Sequence, residues 1–186
     1  MTAILKVDTI QDTAGNNIIN ESSDTITIGA SGDTTNIVGT LQNNGAALVT
    51  GVILQVVQGS TTTETSSSSA TFADTTLTAN ITPSATSSKV LVLVEHPRNF
   101  KSGATNVGWK LFRDSTEIYS LRYLFDTNDS TRQVIPLSFN LLDTPSSTSQ
   151  LTYKTQFNNE SATGSVVIQK DGSTGKSTIT LIEVAG

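Results

Sequence analysis

The sequence predicts an all-β chain in two parts. Residues 1–50 form an N-terminal segment of short strands with no core of its own, and residues 51–186 form a β-sandwich head of jelly-roll type. Three observations lead there. Apolar residues come in short clusters, and none sustains a helical period. Threonine alternates with Val, Ile and Leu, which suits a pleated, half-buried surface. Sequences rich in Gly, Asn, Asp and Ser punctuate the chain at near-regular spacing, as turns between strands do.

The N-terminal clusters are Ile4-Leu5-Val7-Ile10, Ile18-Ile19, Ile26-Ile28, Ile37-Val38-Leu41 and Ala46-Ala47-Leu48. Between them lie Ala14-Gly15-Asn16-Asn17, Gly29-Ala30-Ser31-Gly32-Asp33 and Asn43-Asn44-Gly45, and no aromatic residue precedes Phe72. So little apolar surface cannot offset the entropy of ordering the segment alone. It must be disordered, packed on the rest of the chain, or wound around identical copies; the last arrangement is that of a fibre.

From Val52 the strands lengthen. Val52 to Val57 is the first, and Gly59 to Ser69 is a loop almost entirely of Ser and Thr. Ala70 to Thr82 carries Phe72, Leu77 and Ile81 and ends at Pro83-Ser84. Ser88 to His96 is apolar on both faces across Val90-Leu91-Val92-Leu93-Val94, which predicts a central strand covered on both sides. Val107 to Arg113 holds the sole tryptophan and turns at Asp114-Ser115-Thr116 into its hairpin partner, Glu117 to Phe125. Arg132 to Leu142, Gln150 to Phe157, Ser165 to Lys170 and Ser177 to Val184 complete eight or nine strands. Two packed antiparallel sheets accommodate that number.

Composition excludes several classes. The formal net charge is −5 and the 11 Lys and Arg residues are scattered, so the basic stripe that nucleic-acid binding needs is missing. Without cysteine there is no disulfide framework and no thiolate metal site, and stability must come from packing or assembly. Met1-Thr2-Ala3-Ile4-Leu5-Lys6 lacks a long apolar run behind a basic start, so no signal peptide is expected and synthesis is cytoplasmic. Val90 to Val94 is too short for a bilayer, which argues against membrane insertion.

Leu5-Lys6-Val7-Asp8-Thr9-Ile10-Gln11-Asp12, followed by Gly15-Asn16-Asn17-Ile18-Ile19, resembles the start of tail fibre and structural proteins of marine bacteriophages, cyanophages in particular. Ile26-Thr27-Ile28-Gly29-Ala30-Ser31-Gly32-Asp33-Thr34 is similar to the β-turn repeats of their shafts. Their C-terminal module is matched at Leu77 to Ser84 running into Ser88-Lys89-Val90-Leu91-Val92, at Trp109 to Asp114, and at Ser177 to Val184. The resemblance covers most of the chain and is weakest in the loops. It implies a homotrimer with an intertwined β shaft and a β-sandwich head. It also implies virion location, no cofactor, and host-surface attachment without catalysis. The implied partners are a tail adaptor or nozzle or the capsid, and a host cell-surface polysaccharide or protein. The chain is short for a complete tail fibre, so it attaches through an adaptor or decorates the capsid or another part of the tail. Two alternatives stand beside the tail fibre: a capsid decoration or head-fibre protein, and a small carbohydrate-active enzyme.

Several motifs have bland explanations. Gly172-Ser173-Thr174-Gly175-Lys176-Ser177 evokes a phosphate loop, but Lys170 occupies the place of the first glycine and Ser177 to Val184 alternates as a strand, so a hairpin turn is expected. His96, the sole histidine, is the one base available to a Ser-His-Asp triad, and a strand-end histidine is the default reading. Glu64, Glu95, Asp126, Asp129, Asp143 and Glu160 are candidate carboxylates for sugar hydrolysis, mostly in apparent turns. Sequons at Asn20, Asn80, Asn128 and Asn159 arise readily in a chain this rich in Ser and Thr. Trp109, Tyr119, Tyr123 and Phe100 gather beside Arg98, Lys101, Arg113 and Arg122, a composition suited either to sugar stacking or to core packing with snorkelling cations.

The expected shaft core is therefore Val7, Ile10, Ile18, Ile26, Ile28, Ile37 and Leu41, pointing at a three-fold axis. The expected receptor contacts are Arg98, Phe100, Lys101, Trp109, Asp126, Asn128 and Asp129, in and beside loops 98–106 and 126–131. No catalytic, cofactor or metal-ligating residue is assigned.

Overall fold

The computed structural model describes residues 52–125, 133–171 and 175–186, and the backbone of residues 42–43 and 46–47. The chain divides into two compact units, Met1–Leu48 and Val49–Gly186. In the first, β1 (Gln42–Asn43) pairs antiparallel with β2 (Ala46–Ala47), Gln42 opposite Ala47 and Asn43 opposite Ala46. The expected shaft residues Val7, Ile10, Ile18, Ile26, Ile28, Ile37 and Leu41 lie outside the described residues.

The second unit is all-β. Its strands are β3 (Ile53–Thr61), β4 (Thr65–Ser67), β5 (Ala73–Ile81), β6 (Lys89–Ser102), β7 (Val107–Arg113), β8 (Thr116–Leu124), β9 (Gln133–Asp143), β10 (Leu151–Asn159), β11 (Ser165–Ile168) and β12 (Ser177–Val184). One sheet runs β5-β10-β7-β8; the other runs β3-β12-β6, with β9 also paired to β6. Both β12 and β9 pair with Val90 to Glu95, so they flank β6 on opposite sides. The two layers thus have the strand order of a jelly roll, as the sequence predicts. β11 pairs with Asn99 to Ser102 on the β12 side and carries β4 outside it.

Strand alternation decides what is buried. Leu77, Ala79 and Ile81 of β5, Val90, Val92 and Val94 of β6, and Ile179 and Leu181 of β12 point between the sheets and pack with Leu111, Leu151 and Tyr153. Each Val, Leu or Ile among them contributes about 1.5–3 kcal/mol on full burial. A second cluster holds Val107, Trp109, Phe157, Val166 and Ile168. Gly59 lets β3 close on β5, since a Cβ there would stand 1.9 Å from the Thr78 carbonyl oxygen.

Three expectations need correction. The strand expected to end at His96 continues through Pro97 to Ser102, so residues 98–102 are ladder rather than loop. His96 pairs with Leu137 and Asn99 with Ile135, leaving Pro97 and Arg98 opposite Pro136 alone. This bulge places two residues without an amide N–H where the ladder is already interrupted. Second, β6 is covered on one face only: Leu93 on its outer face is 38% exposed. Third, Gly172 to Ser177 does not join hairpin partners, because β11 and β12 both pair with β6 along the same edge.

Candidate functional site

Between the two apolar clusters lies a polar chain centred on His96, which is fully buried. Gln169 anchors one end: its Nε2 donates to the Gly175 carbonyl at 2.6 Å, so its Oε1 faces Ser177 and accepts the Ser177 hydroxyl at 2.5 Å. That hydroxyl proton is committed. At 2.9 Å from Ser177 Oγ, His96 Nδ1 therefore donates, and Nε2 accepts from Thr155 Oγ1 at 3.2 Å. Thr75 Oγ1 stands 2.6 Å from Thr155 Oγ1 and closes the chain against β5. Every donor points the same way. His96 therefore does not take the Ser177 proton, as the base of a nucleophilic triad must. Burial lowers the His96 pKa to about 3, which keeps the ring neutral.

The expected contact residues separate. Trp109 is 1% exposed, its ring 4.4 Å from that of His96 and 6.1 Å from that of Phe157. Lys101 is also 1% exposed and donates from Nζ to the Thr105 carbonyl at 3.1 Å. Neither is a surface contact, and the cause is strand phase. Val90 to His96 point inward at even positions, and the Pro97-Arg98 bulge shifts the phase so that Asn99 and Lys101 do so at odd ones. Phe100 is half-buried. Arg98 stays at the surface, donating to the Lys170 carbonyl at 2.8 Å and to Asp171 at 2.9 Å. Asp126, Asn128 and Asp129 lie outside the described residues. The candidate carboxylates Glu64, Asp143 and Glu160 are each held in their own ion pair, with Lys170, Arg113 and Arg122.

Two surface features stand out; the sequence did not show the first, and it offered Tyr123 and Arg122 of the second only within a wider aromatic and basic group. The first is a row across the outer face of one sheet. Val56 pairs with Ile182, Ile182 with Leu91, and Leu91 with Leu142, and Val56 and Leu142 are 59% and 52% exposed. Ile53 and Leu54 at the start of β3 extend the apolar surface, at 59% and 46%. The next rung, Gln58-Thr180-Leu93-Asn140, lines a shallow recess of about 350 Å³ with Glu95, Ser138 and Thr178.

The second lies at the end of β8. Leu121 pairs with Trp109 but Leu124 with Val107, so β8 carries one residue more than β7 across this stretch. The extra residue turns Tyr123 to φ 57° and places it outside, 62% exposed. Successive strand residues normally face opposite ways, yet here the Arg122 guanidinium carbon lies 5.5 Å from the Tyr123 ring centroid. Glu160, its side chain 3% exposed, fixes that guanidinium through Nε at 2.9 Å and Nη2 at 2.5 Å. Gly108 makes room for the pair, since a Cβ there would meet Glu160 Oε1 at 2.3 Å.

No family model matches the chain, and no curated protein does. Among solved structures, the chain is similar to the VP2 subviral particle of infectious bursal disease virus, with 13% identity and a TM-score of 0.41, over 82% of this chain and 44% of that one. It is also similar to the T13 particle of the same virus, with 16% identity and a TM-score of 0.40, over 83% of this chain and 41% of that one. The chain thus spans less than half the length of either. Likeness of this degree identifies neither a shared family nor a shared role.

Proposed function

We propose that the chain is a structural, non-enzymatic protein of a bacteriophage virion: a homotrimeric tail fibre whose jelly-roll head attaches to the host surface. The observation that carries the reading is the open row Val56, Ile182, Leu91 and Leu142. It lies on the sheet whose first strand follows directly on the N-terminal segment, which is itself too poor in apolar residues to build a core. Contiguous apolar surface of this kind marks an interaction face, and sibling copies brought together by residues 1–50 would cover it. The motif resemblance of the N-terminal and C-terminal stretches supports a virion fibre specifically. A tail adaptor, a nozzle or the capsid would receive the fibre. Three heads acting on one cell surface, through a polysaccharide or a protein, would gain avidity without strong single contacts.

Sedimentation equilibrium of the full chain at micromolar concentration tests the assembly. A three-copy mass is expected, and a single copy would overturn the proposal. Ile28→Asp should abolish the trimer by placing a carboxylate on the shaft axis, and a variant that stays trimeric removes the shaft from the argument. Leu142→Asp should leave the head folded, because that side chain is 52% exposed, and should weaken contact between heads. Antibody labelling of intact particles then decides between tail and shell.

A further inference from the structure

We infer that Tyr123, Arg122 and Glu160 form a stacking platform for a neutral saccharide on the outer face of the β7–β8 hairpin. The inference rests on the host-attachment reading above and names the ligand class and the residues. Three independent observations meet at this point. Among the described residues Tyr123 is the most exposed of the large apolar and aromatic side chains, and it is held outside by a bulge and by a left-handed backbone that disfavours any residue but glycine. The ring packs in no core, so the strain at this exposed aromatic is not offset by burial of its side chain. The guanidinium beside the ring is fixed rather than free, and Gly108 leaves room for its carboxylate partner as it does for Asn158.

The chemistry selects the ligand. A pyranose ring offers a C–H face to an aromatic ring and hydroxyls around its edge. Arg122 Nη1 takes no part in the pair with Glu160, which leaves its N–H groups for such a hydroxyl. Because Glu160 neutralises Arg122, and the chain carries a net charge of −5, the platform holds no attraction for a polyanion. A neutral saccharide fits; a sulfated or phosphorylated one does not.

Affinity electrophoresis of the full chain through gels containing dextran, mannan, galactan or dextran sulfate tests this. At least one neutral polysaccharide should retard the parent, and dextran sulfate should not. Tyr123→Ala and Tyr123→Gly should reduce retardation about tenfold or more, the loss of one stacking contact, while Tyr123→Phe keeps it. The glycine variant separates contact from structure: at φ 57° glycine relieves strain, so its melting temperature should be no lower than the parent's while binding is lost. Retardation by no neutral polysaccharide, or equal retardation of parent and Tyr123→Ala, overturns the platform. Co-pelleting with bacterial cells distinguishes the two levels. If parent and Tyr123→Ala both pellet with cells and are retarded equally, attachment stands and the platform falls. If the parent is retarded by neutral polysaccharide in a Tyr123-dependent way yet pellets with no cell, the platform stands and attachment falls.

Discussion

Trp109→Ala should destabilise the head by about 3–5 kcal/mol, the usual loss when a large aromatic is cut from a packed core. That is a large share of the about 5–15 kcal/mol that domains of its size hold in total. Trp109 contacts the rings of His96 and Phe157 and fills the space among Val107, Val166 and Ile168. Its removal leaves a cavity that the two sheets cannot close without breaking the polar chain beside it. The indole N–H is buried with no hydrogen-bond partner among the described residues. Trp109→Phe therefore keeps most of the packing while discarding an unsatisfied donor, and should cost well under half as much. Urea unfolding of the three proteins checks the order. An alanine variant that unfolds like the parent but binds host cells poorly would return Trp109 to the surface.

What the sequence reveals and what it hides follow from one property of strands. Alternation is local, so Val90 to Val94, Trp109 to Arg113 and Ser177 to Val184 can be read as strands from their own residues. Which face points inward is local as well, until an extra residue enters. Of the bulges among the described strands, two decide where the candidate site residues point. At Pro97-Arg98 the phase slips, Lys101 turns inward and Arg98 turns out. At the end of β8, Leu121 and Leu124 both pair toward the core although they stand three apart. That spacing breaks alternation, and it was the available signal that Arg122 and Tyr123 share the outer face. Pro97 was the corresponding signal in β6. The pairing of Glu160 with Arg122 had no such signal, because it depends on β10 lying beside β7 and on Gly108 leaving space. The same holds for the row from Val56 to Leu142, which four separate strands assemble.

Acid should weaken the head over two overlapping pH intervals, and the upper one belongs to His96. Its folded-state pKa is about 3, against 6.5 for a free histidine, because burial penalises the charged ring. A depressed folded pKa means that the unfolded chain takes up the proton first. Stability is therefore complete above pH 6.5 and falls as the pH drops from there toward about 3, by about 1.4 kcal/mol per pH unit. By pH 5 the loss is about 2 kcal/mol. Protonation would also make both ring nitrogens donors, and Thr155 would then have to reverse its hydroxyl against Thr75. The lower interval belongs to Glu183, fully buried on β12. Burial raises its pKa, but hydrogen bonds from Gln55 and from the Ser84 amide and hydroxyl outweigh that and hold it at about 2. Its contribution is present above pH 4.5 and is lost as the pH falls toward 2. His96 is the only histidine in the chain, so the upper interval has one source. His96→Gln should be less stable at neutral pH and should show a flat profile between pH 6.5 and 5 in urea unfolding. A variant that keeps the parent's slope across that interval would show that the proton goes elsewhere.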